Sequence, residues 1–201
     1  LLDQAGLPAQ IVTGAGTGTY LLGVLRRVAQ TVAEDIGPGQ VPAATDAALK
    51  RMIGFELQFG PFAVAQLRLL AEVAQLKNMK GSLPGNVPLR LFVTNTLGNP
   101  YASEEYVPQM LKSLSESRTK ANEIKRGEPI FVVVGNPPYK EKAKGLGGWI
   151  EEGNIAQRHA NAPLNRWQPP AEWGVGAHAK HLRNLYVYFW RWATWKVFGD
   201  A

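Results

Sequence analysis

The chain of 201 residues contains no cysteine. Disulfides, zinc–thiolate sites and thiol catalysis are thereby excluded, and a reducing, cytoplasmic setting fits a chain with no disulfide to keep. Histidine is scarce. His178 and His181 are three residues apart and His159 stands alone, with no carboxylate nearby to complete a ligand set, so no metal is expected. No uninterrupted apolar run reaches the roughly 18 residues that suggest a membrane span. Acidic residues are in deficit, 16 against 22 Lys and Arg, for a net charge of +6. Such a balance suits a polyanion such as nucleic acid, although many basic proteins have no such partner. The start, Leu1-Leu2-Asp3-Gln4, has neither an initiator Met nor a signal-peptide pattern. The end comes two residues after Gly199. The expectation is a piece of a longer protein.

What is present is ordinary for one folded domain: 45% hydrophobic and 19% charged residues, which argues against wholesale disorder. The patterning alternates strand and helix. Gln10–Thr13 reads as a strand entering a glycine cluster, and Thr19 to about Glu34 has helical apolar spacing. Gly37-Pro38-Gly39 breaks that helix. Ala43–Lys50 reads as a short helix and Met52–Phe55 as a strand ending at Glu56. Pro61 is expected to open a helix at its first position, with Val64, Leu67, Leu70, Val73 and Ala74 as the apolar face. Leu89–Val93 is the next strand and Glu104 to about Lys125 the next helix. Pro129–Val134 reads as a continuous apolar strand from the middle of a parallel sheet covered on both faces. Residues 140–180 are rich in Gly and Pro without a clear period, a functional or mobile loop. His181–Phe198 is the final helix. The alternation predicts an α/β fold, a parallel sheet with helices on both faces, and ligands on such sheets bind at the carboxyl ends of the strands.

Two groups of residues stand at such ends. Gly14-Ala15-Gly16-Thr17-Gly18-Thr19 joins the first strand to the first helix. Glycines admit close backbone approach to a ligand. The lysine of a Walker loop is missing, and the dinucleotide fingerprint is not met, since Thr19 and Leu21 stand where its last glycine belongs. A plain tight turn remains the competing reading. Glu56, at the end of the second strand, is placed to accept hydrogen bonds from both ribose hydroxyls of an adenosine; a solvated surface carboxylate is the alternative. Asn136-Pro137-Pro138-Tyr139 follows the most apolar strand. The two prolines fix φ and remove two backbone donors. The Asn136 amide carbonyl beside a backbone carbonyl suits an amino group held by both hydrogens, and Tyr139 offers a face for a planar base. A strand-ending turn explains only part of this tetrad.

The tetrad resembles the catalytic signature of amino-group DNA methyltransferases acting on adenine. Longer strings, Gly16–Leu22, Gly54–Leu57 with Ala63-Val64-Ala65, Leu91–Leu97 and Leu185–Trp192, resemble the methyltransferase region of the single-polypeptide type I (type ISP) restriction–modification enzymes. The resemblance runs from about Ile11 to Phe198. It implies a Rossmann-like S-adenosylmethionine-dependent methyltransferase fold over residues 1–201, incomplete at both ends. In the implied scheme Gly14, Gly16, Thr17, Gly18, Glu56 and Asn95 contact the S-adenosylmethionine cofactor, with Glu56 on its ribose and Asn95 on its adenine. Asn136 and the Pro137 carbonyl bind the amine of a flipped-out adenine in DNA, Pro138 stiffens the segment, and Tyr139 stacks on the base. Helicase and nuclease domains of the full-length protein are the implied partners. The chain departs from the family at Val12, where an acidic residue is usual, which predicts weak cofactor binding.

Several residues stand outside this scheme. The aromatic helix Tyr186–Trp195, with the basic residues Arg183, Arg191 and Lys196, reads more readily as a buried helix with snorkelling basic chains than as a nucleic-acid platform. Lys140, Lys142 and Lys144 suit DNA phosphates or a solvated charge run. Trp149, Trp167 and Trp173 suit either closure over substrate or packing on other domains. Two other functions compete with the leading one: an amino-methyltransferase acting on protein or RNA, and a catalytically impaired remnant that binds DNA or protein.

Overall fold

The computed structural model describes residues 11–79, 87–102, 112–154 and 161–199, with the side chains of 11–13 left aside. Gln10, the helix start expected at Glu104, the Val12 side chain and His159 therefore lie outside the described residues. Residues 1–94 with 130–135 make one compact unit, and residues 95–129 with 136–201 a second.

The first unit holds a four-stranded parallel sheet: β1 (Ile11–Gly14), β2 (Met52–Glu56), β3 (Arg90–Val93) and β4 (Val132–Val134), in the order β3-β2-β1-β4. The register pairs Ile11 with Met52 and with Val132, and Ile53 with Arg90. Helices α1 (Thr19–Asp35), α2 (Val41–Arg51) and α3 (Phe59–Leu76) connect the strands. Leu21, Leu22 and Leu25 of α1, Leu49 of α2, and Ala65, Leu69 and Val73 of α3 form one core with Met52 and Leu91 of the sheet. Ile53 and Phe55 alternate to the opposite face and are buried as well, so β2 is buried on both sides. Gly54 is the point of closest approach: a Cβ there would collide with the Leu91 side chain and lie 2.9 Å from Leu21 Cδ1.

Three expectations are corrected in this unit. Pro61 is the third residue of α3, not its first, still within the turn whose N–H groups need no helical partner. The buried face of α3 is Ala65, Leu69, Glu72 and Val73, while Val64 and Leu67 are exposed. The helix is apolar on more than one side, so spacing alone picks the wrong stripe; Glu72 is buried because the Arg26 guanidinium forks onto it at 2.9 and 2.6 Å. β4 is three residues long and lies at the sheet edge among the described residues, with Phe131 and Val132 exposed. A continuous apolar run states that a strand is hydrophobic, not that it has neighbours on both sides.

The second unit is helical in its described residues. α4 spans Lys112–Gly127, α5 spans Trp149–Glu152, and α6 spans Leu185–Phe198. Short 3-10 turns at Pro163–Trp167, Ala171–Trp173 and Gly176–Leu182 occupy the stretch without a clear period. α6 starts four residues later than expected, because the Asn184 side chain caps it by accepting the Tyr186 N–H at 2.9 Å. Within the helix, Tyr188, Arg191 and Trp192 are buried. Arg191 does not snorkel: its Nε donates to the Pro163 carbonyl at 2.8 Å, and its guanidinium lies 5.8 Å from the Trp167 ring centroid. Trp149 is buried edge-on against Trp195, with centroids 4.5 Å apart. Lys196 donates to the carbonyls of Ile124 and Lys125 at the C-terminus of α4, 2.9 Å each; the Ile124 carbonyl also accepts the Glu128 N–H at 3.2 Å. No helix among the described residues is long and apolar enough to cross a membrane.

Candidate functional site

The strand order places β2 and β3 on one side of β1 and β4 on the other. The direction in which strands are added therefore reverses between β1 and β4. On open parallel sheets the carboxyl ends of strands at such a reversal are where ligands bind. Here the glycine loop leaves β1 and the Asn136 tetrad follows β4 in the chain.

The glycine loop is held by its own backbone. Ala15 N–H donates to the Phe55 carbonyl and Gly18 N–H to the Ala15 carbonyl, both at 2.7 Å. Gly16 and Gly18 have φ of +50° and +83°, a region that costs other residues about 1–2 kcal/mol. The three glycines differ in what surrounds them. A Cβ on Gly18 would lie 3.2 Å from Ala65, so this glycine lets α3 approach. A Cβ on Gly14 or Gly16 would meet nothing within 4 Å, so packing does not demand a glycine at either position.

Glu56 closes the loop from the neighbouring strand. Its carboxylate accepts the Gly16 N–H and the Gln58 N–H, each at 2.8 Å and each on a different oxygen. Every carboxylate oxygen has a second lone-pair position, so the group is oriented and still able to accept two hydroxyls. The adjacent Leu57 is 63% exposed and adds apolar surface beside it. One contributor was missed in the sequence. Arg68 of α3 donates to the Thr17 carbonyl at 2.7 Å and lies within 3.2 and 3.4 Å of the Thr17 and Thr19 hydroxyls. A single arginine on a helix face carries no sequence signal of such a role. An oriented carboxylate with spare acceptor positions beside this loop could hold the hydroxyl groups of a small ligand.

In the second unit, Asn95 begins a tight turn. Its side-chain carbonyl accepts the Leu97 N–H at 3.0 Å, and its backbone carbonyl accepts the Gly98 N–H at 3.0 Å and Lys125 Nζ at 2.7 Å. It is the side-chain carbonyl of Asn95, not its amide N–H groups, that takes part in this turn. Lys125 is 1% exposed, and burial pushes its ammonium down to about 7. Sequence reasoning missed this residue too, since a lysine near a helix C-terminus ordinarily marks a solvated end.

Asn136 and Pro138 are exposed and Pro137 half-buried. Neither the Asn136 side chain nor the Pro137 carbonyl has a hydrogen-bond partner among the described residues. Tyr139 is 78% exposed, and its ring stacks on Tyr186 of α6 with centroids 5.2 Å apart and planes 17° apart. The structure thus joins Gly16 with Glu56 in one unit and Tyr139 with Tyr186 in the other.

No protein-family model matches the chain, and no curated protein is similar to it. Its fold does recur in solved structures. A nuclease-deletion mutant of the Type ISP restriction-modification enzyme LlaGI, in complex with a DNA substrate mimic, aligns over 96% of this chain at a TM-score of 0.66 and 17% identity. The ATP-dependent Type ISP restriction-modification enzyme LlaBIII bound to DNA aligns over 95% at 0.66 and 20% identity. DrdV in its DNA complex aligns over 95% at 0.57 and 18% identity. The chain spans 15%, 12% and 16% of those three chains respectively. At these identities the likeness is one of fold: this α/β arrangement is one found inside restriction–modification enzymes.

Proposed function

We propose that the chain carries the methyl-transferring centre of a restriction–modification enzyme and that it methylates the exocyclic amine of adenine in DNA. The observation that carries this reading is the Asn136–Tyr139 segment: two acceptors with no partner among the described residues and an exposed ring, in the stretch that follows β4 in the chain. The fold shared with LlaGI and LlaBIII supports it.

In this reading Glu56 binds the ribose hydroxyls of S-adenosylmethionine, Gly14 and Gly16 pass close to it, Thr17 and Gly18 shape the loop, and Asn95 offers its amide to the adenine ring. The cofactor, when bound, supplies an already activated methyl group. The chain's own work is positioning. Asn136 Oδ1 accepts one hydrogen of the target amine and the Pro137 carbonyl accepts the other, which leaves the nitrogen lone pair directed away from both. Pro137 and Pro138 fix these acceptors before the base arrives, so little reorganisation is needed. Tyr139 stacks on the base once it has left the duplex, where its amine is otherwise out of reach. No acid–base triad is needed, because orientation of an activated donor supplies much of the rate.

Single-turnover methylation of an adenine-containing duplex tests the assignment. Asn136→Ala lowers the transfer rate by about two orders of magnitude or more, the usual effect of removing one preorganised partner, while cofactor binding stays unchanged. An unchanged rate overturns the assignment.

A further inference from the structure

The proposed chemistry uses Tyr139 but not the rings behind it. Tyr186 stacks on Tyr139, and Trp190, one helical turn further along α6, lies 6.2 Å from Tyr186 at 51°. Residues four apart share a helix face. The two ends of this row are open: Tyr139 is 78% and Trp190 53% exposed. Buried aromatic packing does not explain exposed ends, and the buried rings of α6, Tyr188 and Trp192, lie elsewhere on the helix.

Cations are fixed beside the row. Leu185 N–H donates to the Lys140 carbonyl, and Ala143 N–H donates to the Arg183 carbonyl, both at 2.9 Å. These two bonds clamp residues 140–143 alongside 183–185. Lys140, Lys142, Lys144 and Arg183 are all exposed, with Glu141 the one acid in the Lys140–Lys144 stretch. Lys142 has φ of +52°, an unfavourable backbone for lysine, held in place by the adjacent Ala143 bond.

We infer that Tyr139, Tyr186 and Trp190, with Lys140, Lys142 and Arg183, form a binding surface for an unpaired nucleic-acid strand. The occupant follows from the chemistry. A row of rings exposed at both ends offers stacking faces, and only unpaired bases present theirs. The flanking cations match the phosphates between them. A duplex hides its base faces and would use the cations alone. The inference rests on the methyl-transfer reading only in that Tyr139 serves both.

Fluorescence anisotropy of a labelled oligo(dT) of about 12 nucleotides, a length in the range such surfaces occupy, tests this on the whole chain without cofactor. Thymine carries no target amine, so the result is independent of methyl transfer. Trp190→Ala and Tyr186→Ala each weaken binding by about fivefold to a hundredfold, the worth of one base–ring stack, and Trp190→Phe retains most of it. Lys142→Ala reduces the slope of log affinity against log salt by about 0.7. A duplex of the same length binds without dependence on Trp190. The inference is overturned if the chain does not bind oligo(dT), if Trp190→Ala and Tyr186→Ala bind like the parent, or if the duplex shows the same ring dependence. Retained oligo(dT) binding in a chain that binds cofactor and duplex DNA yet transfers no methyl group overturns the proposed chemistry and leaves this surface standing.

Discussion

Gly16 donates its backbone N–H to the Glu56 carboxylate at 2.8 Å, across forty residues of sequence. The bond ties the loop after β1 to the end of β2 and aims the carboxylate before any ligand is present. Glu56→Gln keeps one acceptor but loses the charge. A hydrogen bond to a charged group is worth roughly 1.5–3 kcal/mol, so S-adenosylmethionine affinity falls by about one to two orders of magnitude. Titration calorimetry reads this directly. In the same assay Val12→Asp, supplying the acid that the resemblance leads one to expect there, strengthens binding; no change there shows that the position does not face the cofactor.

The three loop glycines separate stability from binding. Gly18→Ala places a left-handed alanine against Ala65 and costs about 1–2 kcal/mol of stability. Gly14→Ala meets open space, so denaturant unfolding changes little while cofactor binding weakens. Equal stability losses at both positions would assign Gly14 to packing and remove it from the site.

Gly54→Ala tests the core. The added methyl collides with Leu91 and crowds Leu21, and overpacking of this kind costs about 1–3 kcal/mol. Urea denaturation measures it; a neutral result means that Leu91 and Leu21 repack freely.

How much of this was legible in the sequence differs by element. The strands and the breaks at Gly37–Gly39 were readable because glycine, proline and β-rich runs act locally. The buried stripe of α3 was not, because Glu72 lies in it only by virtue of Arg26, 46 residues away. The start of α6 was misjudged because Asn184, a cap, follows a 3-10 turn that resembles helix in its spacing. Glu56 and the Asn136 tetrad stood out as unusual residue types at strand ends. Arg68 and Lys125 did not, since their roles depend on which carbonyl lies across the fold.

Lys125 makes stability depend on pH. Its folded value of about 7 lies below the ordinary 10.5 of a lysine, so the unfolded chain binds more protons between these values and stability rises with pH across that window. Stability gained above is lost as pH falls through 7. Lys196, lowered to about 8 by burial, acts in the same sense. The chain is therefore more stable to urea at pH 9.5 than at pH 7, and Lys125→Met flattens the difference. A parent whose stability falls over this range contradicts the burial of a neutral amine at this site.

In the proposed function the Asn136–Tyr139 segment directs methyl transfer to adenine. The most direct test is mass spectrometry of nucleosides from duplex DNA incubated with methyl-labelled S-adenosylmethionine at saturating concentration and the protein carrying this segment. The expected result is label on the exocyclic nitrogen of deoxyadenosine, and its disappearance with Asn136→Ala. Label on another nucleoside or on protein, or no label in a protein that binds both cofactor and DNA, would contradict it.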